Sequence, residues 1–324
     1  MLGVSETAVS FALNGRPGIS EETRARILAA VNELGFTPNY AARALTGAGT
    51  STIGFVVARA AESIGSESFF LHLIAGMQSA LAARRYGLLF QVVGSVEEEL
   101  VVYRRWHEEN RVDGVVIVDL REPDPRPAAL AELGVPAVLV GGPDPSGLLS
   151  SVSIDDRAAA RVVIDHLAGL GHRSITYIAG DPALEHVRQR TEAFLDHGAA
   201  TGADVQVVPT DFSPEAGIAA VTAQLGRPRP PTALVFENEV VTVAGLGVLR
   251  LHGLTVPDDV AVVSFEDSGI CAAVQPPITA VHRETYDYGR VVAEHLLRQV
   301  DGLPPASVVL PHPLLAVRGS SQPG

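Results

Sequence analysis

Lysine is missing from these 324 residues, so all 24 strong bases are arginines, set against 37 Asp and Glu. The net charge of −13 excludes a chain coated along its length by nucleic acid. It leaves room for a small DNA-reading module, because affinity for phosphate follows local charge and not the total. Cysteine occurs once, at Cys271. An internal disulfide and a four-cysteine zinc site are thereby excluded, and the thiol reads as a small buried hydrophobe. No apolar run approaches the ~20 residues needed to span a bilayer. The N-terminus has neither the basic region nor the apolar region of a secretory signal. The expected compartment is the cytoplasm, with no membrane partner.

Enzyme signatures are also lacking. There is no G-x-x-x-x-G-K-[ST], H-E-x-x-H or G-x-S-x-G, and Gly245-Leu-Gly247 lacks a third glycine and falls within a helical stretch. His166 and His172 read as helix-end and surface groups rather than a metal pair. The reading is a protein that is not an enzyme, with no metal and no cofactor.

What is present divides at about residue 52. Before it, Ser5 is placed to cap a helix from Glu6 to Leu13, closed by Asn14-Gly15 and Pro17. Ser20 caps a second helix, with Glu21 and Glu22 at its positive end and Ile27, Leu28, Val31 and Leu34 as one apolar stripe before Gly35. A third, short helix fits Asn39 through Leu45 to Gly47, and TGAGTST, 46 to 52, reads as a flexible connector.

From Ile53 the texture changes. Apolar runs (IGFVVA at 53, LLFQVV at 88, VVIV at 115, AVLV at 137) alternate with stretches of helical period, and a second series follows (ITYIA at 175, VQVV at 205, ALVF at 233, VAVVSF at 260). Strands that are apolar throughout predict parallel sheets covered on both faces. The fold class is therefore α/β, with two doubly wound parallel-sheet domains behind a small all-α segment. In such a fold ligands bind outside the carboxyl ends of the strands, so a cleft between the domains is the expected site.

GVSETAVSFALNG (3 to 15) and ISEETRARILAAVNELGFTPNYAARALTG (19 to 47), followed by FENE at 236, VPDDVAVVSFEDSG at 256 and PPITAVHRETYDYGR at 276, together resemble the lactose/galactose repressor (LacI/GalR) family of bacterial transcription regulators. The resemblance covers nearly the whole chain. It implies a helix-turn-helix headpiece with hinge helix (1–47, hinge 39–47), a linker (48–52) and a type-I periplasmic-binding-protein core (53–324). The core would divide into a first subdomain of about 53–154 plus 283–308 and a second of about 155–282 plus 309–320. The family's headpiece has a helix ahead of its recognition helix, and here the text opens at Met1-Leu2-Gly3, so the headpiece is expected to be short by about one helix. Residues 1–50 hold four Arg and four Glu, without the excess positive charge expected for duplex binding.

Carried over by position, the resemblance implies that Glu6, Thr7 and Phe11 face base edges while Ser5, Ser10 and Asn14 contact phosphate. Phe11 stands where arginine is common; contact with a thymine methyl and packing within the headpiece are both open. Leu45 occupies the position of the leucine that the family wedges into the minor groove. For the effector it implies Arg190, Asn238 and Glu266, with Phe69, Phe70 and Phe212 supplying flat apolar faces. A guanidinium and a carboxylate each bracket adjacent hydroxyls, and an amide both donates and accepts, which suits a sugar or similar polar metabolite. Arg190 and Glu266 are expected at the carboxyl ends of their elements. Gly141 stands where sugar-binding members often carry an acid, and Arg121, Arg126, Glu237 and Glu239 leave a nucleoside or phosphorylated metabolite open.

The implied function is a ligand-responsive repressor, a homodimer on a pseudo-palindromic DNA operator, since no leucine heptad for tetramers follows the core. Two alternatives stand beside it. One is a solute-binding protein with the same core, although helix-turn-helix text occupies the place of its signal peptide. The other is a truncated regulator that senses ligand without gripping DNA.

Overall fold

The computed structural model describes residues 3–13, 17–33, 49–144 and 146–322. Two helices precede the first strand. Helix α1 (Glu6–Leu13) opens where the Ser5 hydroxyl accepts the Ala8 N–H at 3.2 Å, satisfying a first-turn donor that the helix cannot pair internally. Helix α2 (Glu21–Glu33) opens likewise, the Ser20 hydroxyl accepting the Thr23 N–H at 3.2 Å. The two helices pack together and bury Ala12 and Ile27. Leu28, read as part of the α2 stripe, is instead exposed: neighbouring positions on a helix point about 100° apart, and a single small partner covers only one of them. Asn14, the segment 39–47 with Leu45, and the side chain of Glu6 lie outside the described residues.

The connector 46–52 is held where it is described. Asp113 accepts the N–H groups of Thr50 (2.6 Å) and Ser51 (2.7 Å) and the Thr50 hydroxyl (3.0 Å), so polar glycine-rich composition alone misjudged residues 49–51. The chain then runs through β1 (Thr52–Ala58), α3 (Ala61–Ser66), α4 (Ser68–Ala83), β2 (Gly87–Val93), α5 (Val96–Glu108), β3 (Gly114–Ile117), α6 (Arg126–Leu133), β4 (Ala137–Val140) and β5 (Ser150–Ser153). A second run follows: α7 (Asp156–Gly169), β6 (Ser174–Ala179), α8 (Glu185–Thr201), β7 (Asp204–Pro209), α9 (Pro214–Leu225), β8 (Ala233–Phe236), α10 (Glu239–Leu251), β9 (Ala261–Ser264), α11 (Gly269–Ala273) and β10 (Thr279–His282). Helix α12 (Thr285–Val300) and β11 (Val308–Val309) return to the first sheet, and β12 (Leu314–Ala316) joins the second.

The sheets have the orders β11-β5-β4-β3-β1-β2 and β12-β10-β9-β8-β6-β7, parallel throughout except for the β10–β12 pair. Most inner strands are buried on both faces, as their unbroken apolar text predicts. Strand β5 breaks that pattern, since SSVS is polar yet wholly buried. The hydroxyls of Ser150 and Ser151 are met by the chain beside it, Ser150 Oγ accepting the Ala306 N–H at 2.8 Å and Ser151 Oγ meeting Ser307 Oγ at 3.0 Å. Helix α12 packs backbone to backbone on α4; a β-carbon at Gly289 would sit 2.1 Å from the Leu73 carbonyl oxygen, so no larger residue fits that crossing. Tyr288 then donates to the Val152 carbonyl at 2.7 Å and pins α12 to β5.

Each sheet reverses direction of growth once, between β1 and β3 and between β6 and β8. Both switch points open on the gap between the two halves, where ligand sites of doubly wound sheets lie.

Candidate ligand site between the two sheets

Residues that follow the strands line this gap. Arg59 directly follows β1, Asp119 lies two residues beyond β3, and Gly141 follows β4; opposite them, Glu237 and Asn238 follow β8, Glu266 lies two residues beyond β9, and Arg283 follows β10. The space between the two walls amounts to about 710 Å³, including its solvent-open mouth.

In the first half the Arg59 guanidinium grips Asp119 through two bonds (Nε at 2.5 Å, Nη2 at 3.0 Å) and Glu67 at 3.1 Å. In the second, Arg190 is held by Asp156 (Nε at 2.8 Å) and by Glu237, whose other oxygen accepts the Tyr177 hydroxyl. Arg190 and Arg283 both lie over the Phe265 ring, 4.4 and 5.2 Å from its centre. Burial acts against the charge of Arg190, but Asp156 and Glu237 more than offset it and hold the guanidinium above its ordinary range. Burial pushes Glu67 up to about 7 against the pull of Arg59, and Glu266 up to about 7 against that of Arg283. Desolvation at the cleft mouth, with Arg190 nearby, pushes the His186 imidazole down to about 4.

Several contacts cross the gap. Arg59 lies 4.1 Å over the Phe212 ring, the Ser68 N–H donates to Glu239 at 2.8 Å, and the Glu185 N–H donates to the Leu120 carbonyl at 2.8 Å. Arg188 reaches Glu122 at 2.7 Å, and Arg121 reaches Asp181 at 3.6 Å. Other buried polar atoms have no partner among the described residues: Asn238 Nδ2, Glu239 Oε2, Arg283 Nε and Ser68 Oγ at or beside the cleft. Unpaired buried polar atoms are costly, and four of them gather around this gap.

All six residues expected in the cleft line it: Phe69, Phe70, Arg190, Phe212, Asn238 and Glu266. Their placement departs from expectation in three respects. Arg190 sits in the second turn of α8, not at the carboxyl end of an element. Phe70 is almost wholly in the core of the first half, and one face of Phe212 is taken by Arg59. Asn238 spends its carbonyl on capping α10 through the Val241 N–H at 2.9 Å, which leaves only its amide nitrogen for a ligand. Arg126 is not at the cleft at all, being buried between Glu99 (2.7 Å) and Asp124 (2.6 Å). Arg59, Glu67, Asp119, Asp156, His186 and Arg283 were not anticipated. Three of them follow apolar strands at once or within two residues, a position that the fold itself marks as ligand-facing.

At the other end of the chain, Thr7, Ser10 and Phe11 share one face of α1 by their spacing of three and four residues. Ser5 and Thr7 are exposed, while Ser10 and Phe11 are half-buried. The Phe11 ring lies against Gly18, where a β-carbon would come within 2.8 Å of its Cε2, so packing within the headpiece uses part of this ring. Cys271 is fully buried, as expected. No helix among the described residues is long and apolar enough to cross a membrane.

Two α/β lobes closing on a polar cleft, behind a capped helix pair, define a ligand-sensing core with an N-terminal recognition segment. Comparison with known proteins agrees: residues 2–39 match the bacterial regulatory proteins of the lacI family, and residues 164–321 match the periplasmic binding protein-like domain. The chain is 32% identical to the HTH-type transcriptional regulator CelR of Thermobifida fusca over 310 residues, 93% of this chain and 90% of that one. It is likewise 32% identical to the HTH-type transcriptional regulator MalR of Streptomyces coelicolor over 340 residues, 99% and 95% of the two chains. Among solved structures, a complex of the regulator CelR with cellobiose superposes with a TM-score of 0.78 at 31% identity, covering 99% of this chain and 97% of the other. The chain belongs to the LacI family and is a DNA-binding transcriptional regulator.

Proposed function

We propose that the cleft binds a small polyhydroxylated effector and that its occupancy controls the grip of a homodimer on a pseudo-palindromic operator, as a repressor without catalytic activity. The observation that carries this reading is the group of unpartnered polar atoms around Asn238, Glu239 and Arg283, with apolar ring surface from Phe69 and Phe212 beside them. Hydroxyls pair with such atoms and sugar ring faces lie on aromatic ones. The cellobiose seated in the similar CelR structure supports the ligand class. Arg190 and Glu266 bracket the ligand from the second half. On the DNA side, Ser5, Glu6, Thr7, Ser10, Phe11 and Asn14 contact the major groove and its phosphates, and Leu45 the minor groove. The core begins at about residue 53, with the segment 1–47 as the reading unit.

Effector binding shifts the balance between lobe arrangements only by its difference in affinity for them. The test combines a thermal-shift panel of mono- and disaccharides, nucleosides and sugar phosphates with fluorescence anisotropy on duplexes selected for binding. A compound that stabilises the protein is expected to change operator affinity at least fivefold, the lower end of ordinary allosteric coupling. Stabilising compounds that leave operator affinity untouched would overturn the coupling.

A further inference from the structure

Carboxylates outnumber guanidiniums in the cleft by six to three. Arg59 pairs with Asp119, Arg190 with Asp156, and Arg283 with Glu266 at 3.4 Å. Of the remaining acids, Glu67 and Glu237 share Arg59 and Arg190. Glu239 is only 1% exposed and has no cationic partner among the described residues. Its Oε1 accepts the Ser68 N–H, its Oε2 accepts nothing, and the neighbouring Asn238 Nδ2, also buried, makes no well-formed hydrogen bond, only a looser approach to Glu67. A buried carboxylate oxygen without a donor is costly, and a charged donor answers more of that cost than a neutral hydroxyl does. Among the described residues no three of these carboxylates are grouped so as to hold a metal ion.

We propose that the effector is an amino-substituted polyol, whose protonated amine donates to Glu239 Oε2 while an adjacent hydroxyl accepts from Asn238 Nδ2. The inference rests on the cleft being the effector site. The neighbours agree in sign: burial drives Glu67 and Glu266 to about 7, Asp119 and Glu239 adding to the first and Glu239 and Asp156 to the second, and a cation at Glu239 relieves both. A phosphorylated metabolite meets the wrong charge here.

The test is calorimetric and thermal-shift titration of the full chain at pH 7 with three disaccharides: cellobiose, fully deacetylated chitobiose and N,N′-diacetylchitobiose. The deacetylated sugar is expected to bind at least tenfold more tightly than either neutral one, a ratio worth about 1.4 kcal/mol. Glu239→Gln, which keeps an acceptor for the Ser68 N–H, is expected to bring that ratio close to one. The comparison within the parent protein stands even if the variant fails to fold. Neutral sugars binding as well as the amine, or better, overturn the amine assignment and leave the effector site standing. No binding by any of the three also overturns it; the wider compound panel then decides the fate of the cleft separately.

Discussion

Arg59 and Arg190 are held alike, each between two carboxylates and over an aromatic ring, yet they do different work. Arg190 keeps to its own half, over Phe265 with Asp156 and Glu237 beside it. Arg59 reaches out of its half and lies on Phe212 of the other. The second wall is therefore finished without the first, whereas the first is clipped on by one stacked guanidinium and a few hydrogen bonds at residues 68, 120–122 and 184–188. Contacts so few hold a closed arrangement by an amount that a ligand's differential affinity can outweigh, as a switch needs.

Removing each arginine tests the contrast. Arg190→Ala takes from Asp156 and Glu237 the guanidinium that holds both, leaving Asp156 with Arg283 at 3.9 Å and Glu237 with the Tyr177 hydroxyl. Losing one partner of such a pair costs about 3–5 kcal/mol, and calorimetry or denaturant titration should show that loss in the ligand-free protein. Arg59→Ala should cost less, about 2 kcal/mol or under, the scale of a desolvated stack of this kind. Here the lobes can part, which lets water reach Asp119, while Glu67 takes up a proton. Small-angle scattering should show a larger radius of gyration for Arg59→Ala and none for Arg190→Ala at temperatures where both are folded. Equal losses of stability with no expansion would break the distinction between wall and clip.

The difference also explains what could be read from sequence. Strands such as VVIV at 115 and ALVF at 233 were legible because burial on both faces demands unbroken apolar text. Strand β5 was not, since its Ser150 and Ser151 are satisfied by residues 306–307, more than 150 positions away. Helix α12 carries a clear apolar stripe (Tyr288, Val292, Leu296) that was absorbed into a family motif and not read as an element. In the cleft, Arg190, Asn238 and Glu266 came from family position. Arg59 could have come from physics, because a charge directly after the first apolar strand of a doubly wound sheet points at the switch point. Its contact with Phe212 spans the two lobes, and no local pattern encodes that.

The smallest effect concerns pH, and it separates the two walls most finely. Glu67 and Glu266 rise from about 4.5 to about 7 on folding, so the folded chain holds more protons than the unfolded one between those values and stability falls as pH rises through them. His186 goes from 6.5 down to about 4, so its contribution rises with pH over 4 to 6.5 and is complete above. The ligand-free melting temperature should therefore fall between pH 6.5 and 7.5, where the two glutamates lose their protons and His282, raised against burial by Glu284 and Asp267, adds to the fall. Glu67→Gln and Glu266→Gln should each flatten that fall, and together they should uncover below pH 6.5 the opposite slope of His186. In the Arg59→Ala background the lobes part and water reaches Glu67, so Glu67→Gln should no longer matter. Glu266 remains against Arg283 in its own lobe, and its effect should persist. Melting curves from pH 5 to 8 decide this: if both substitutions lose their effect together, Glu266 owes its environment to closure as much as Glu67 does, and the second wall is not complete by itself.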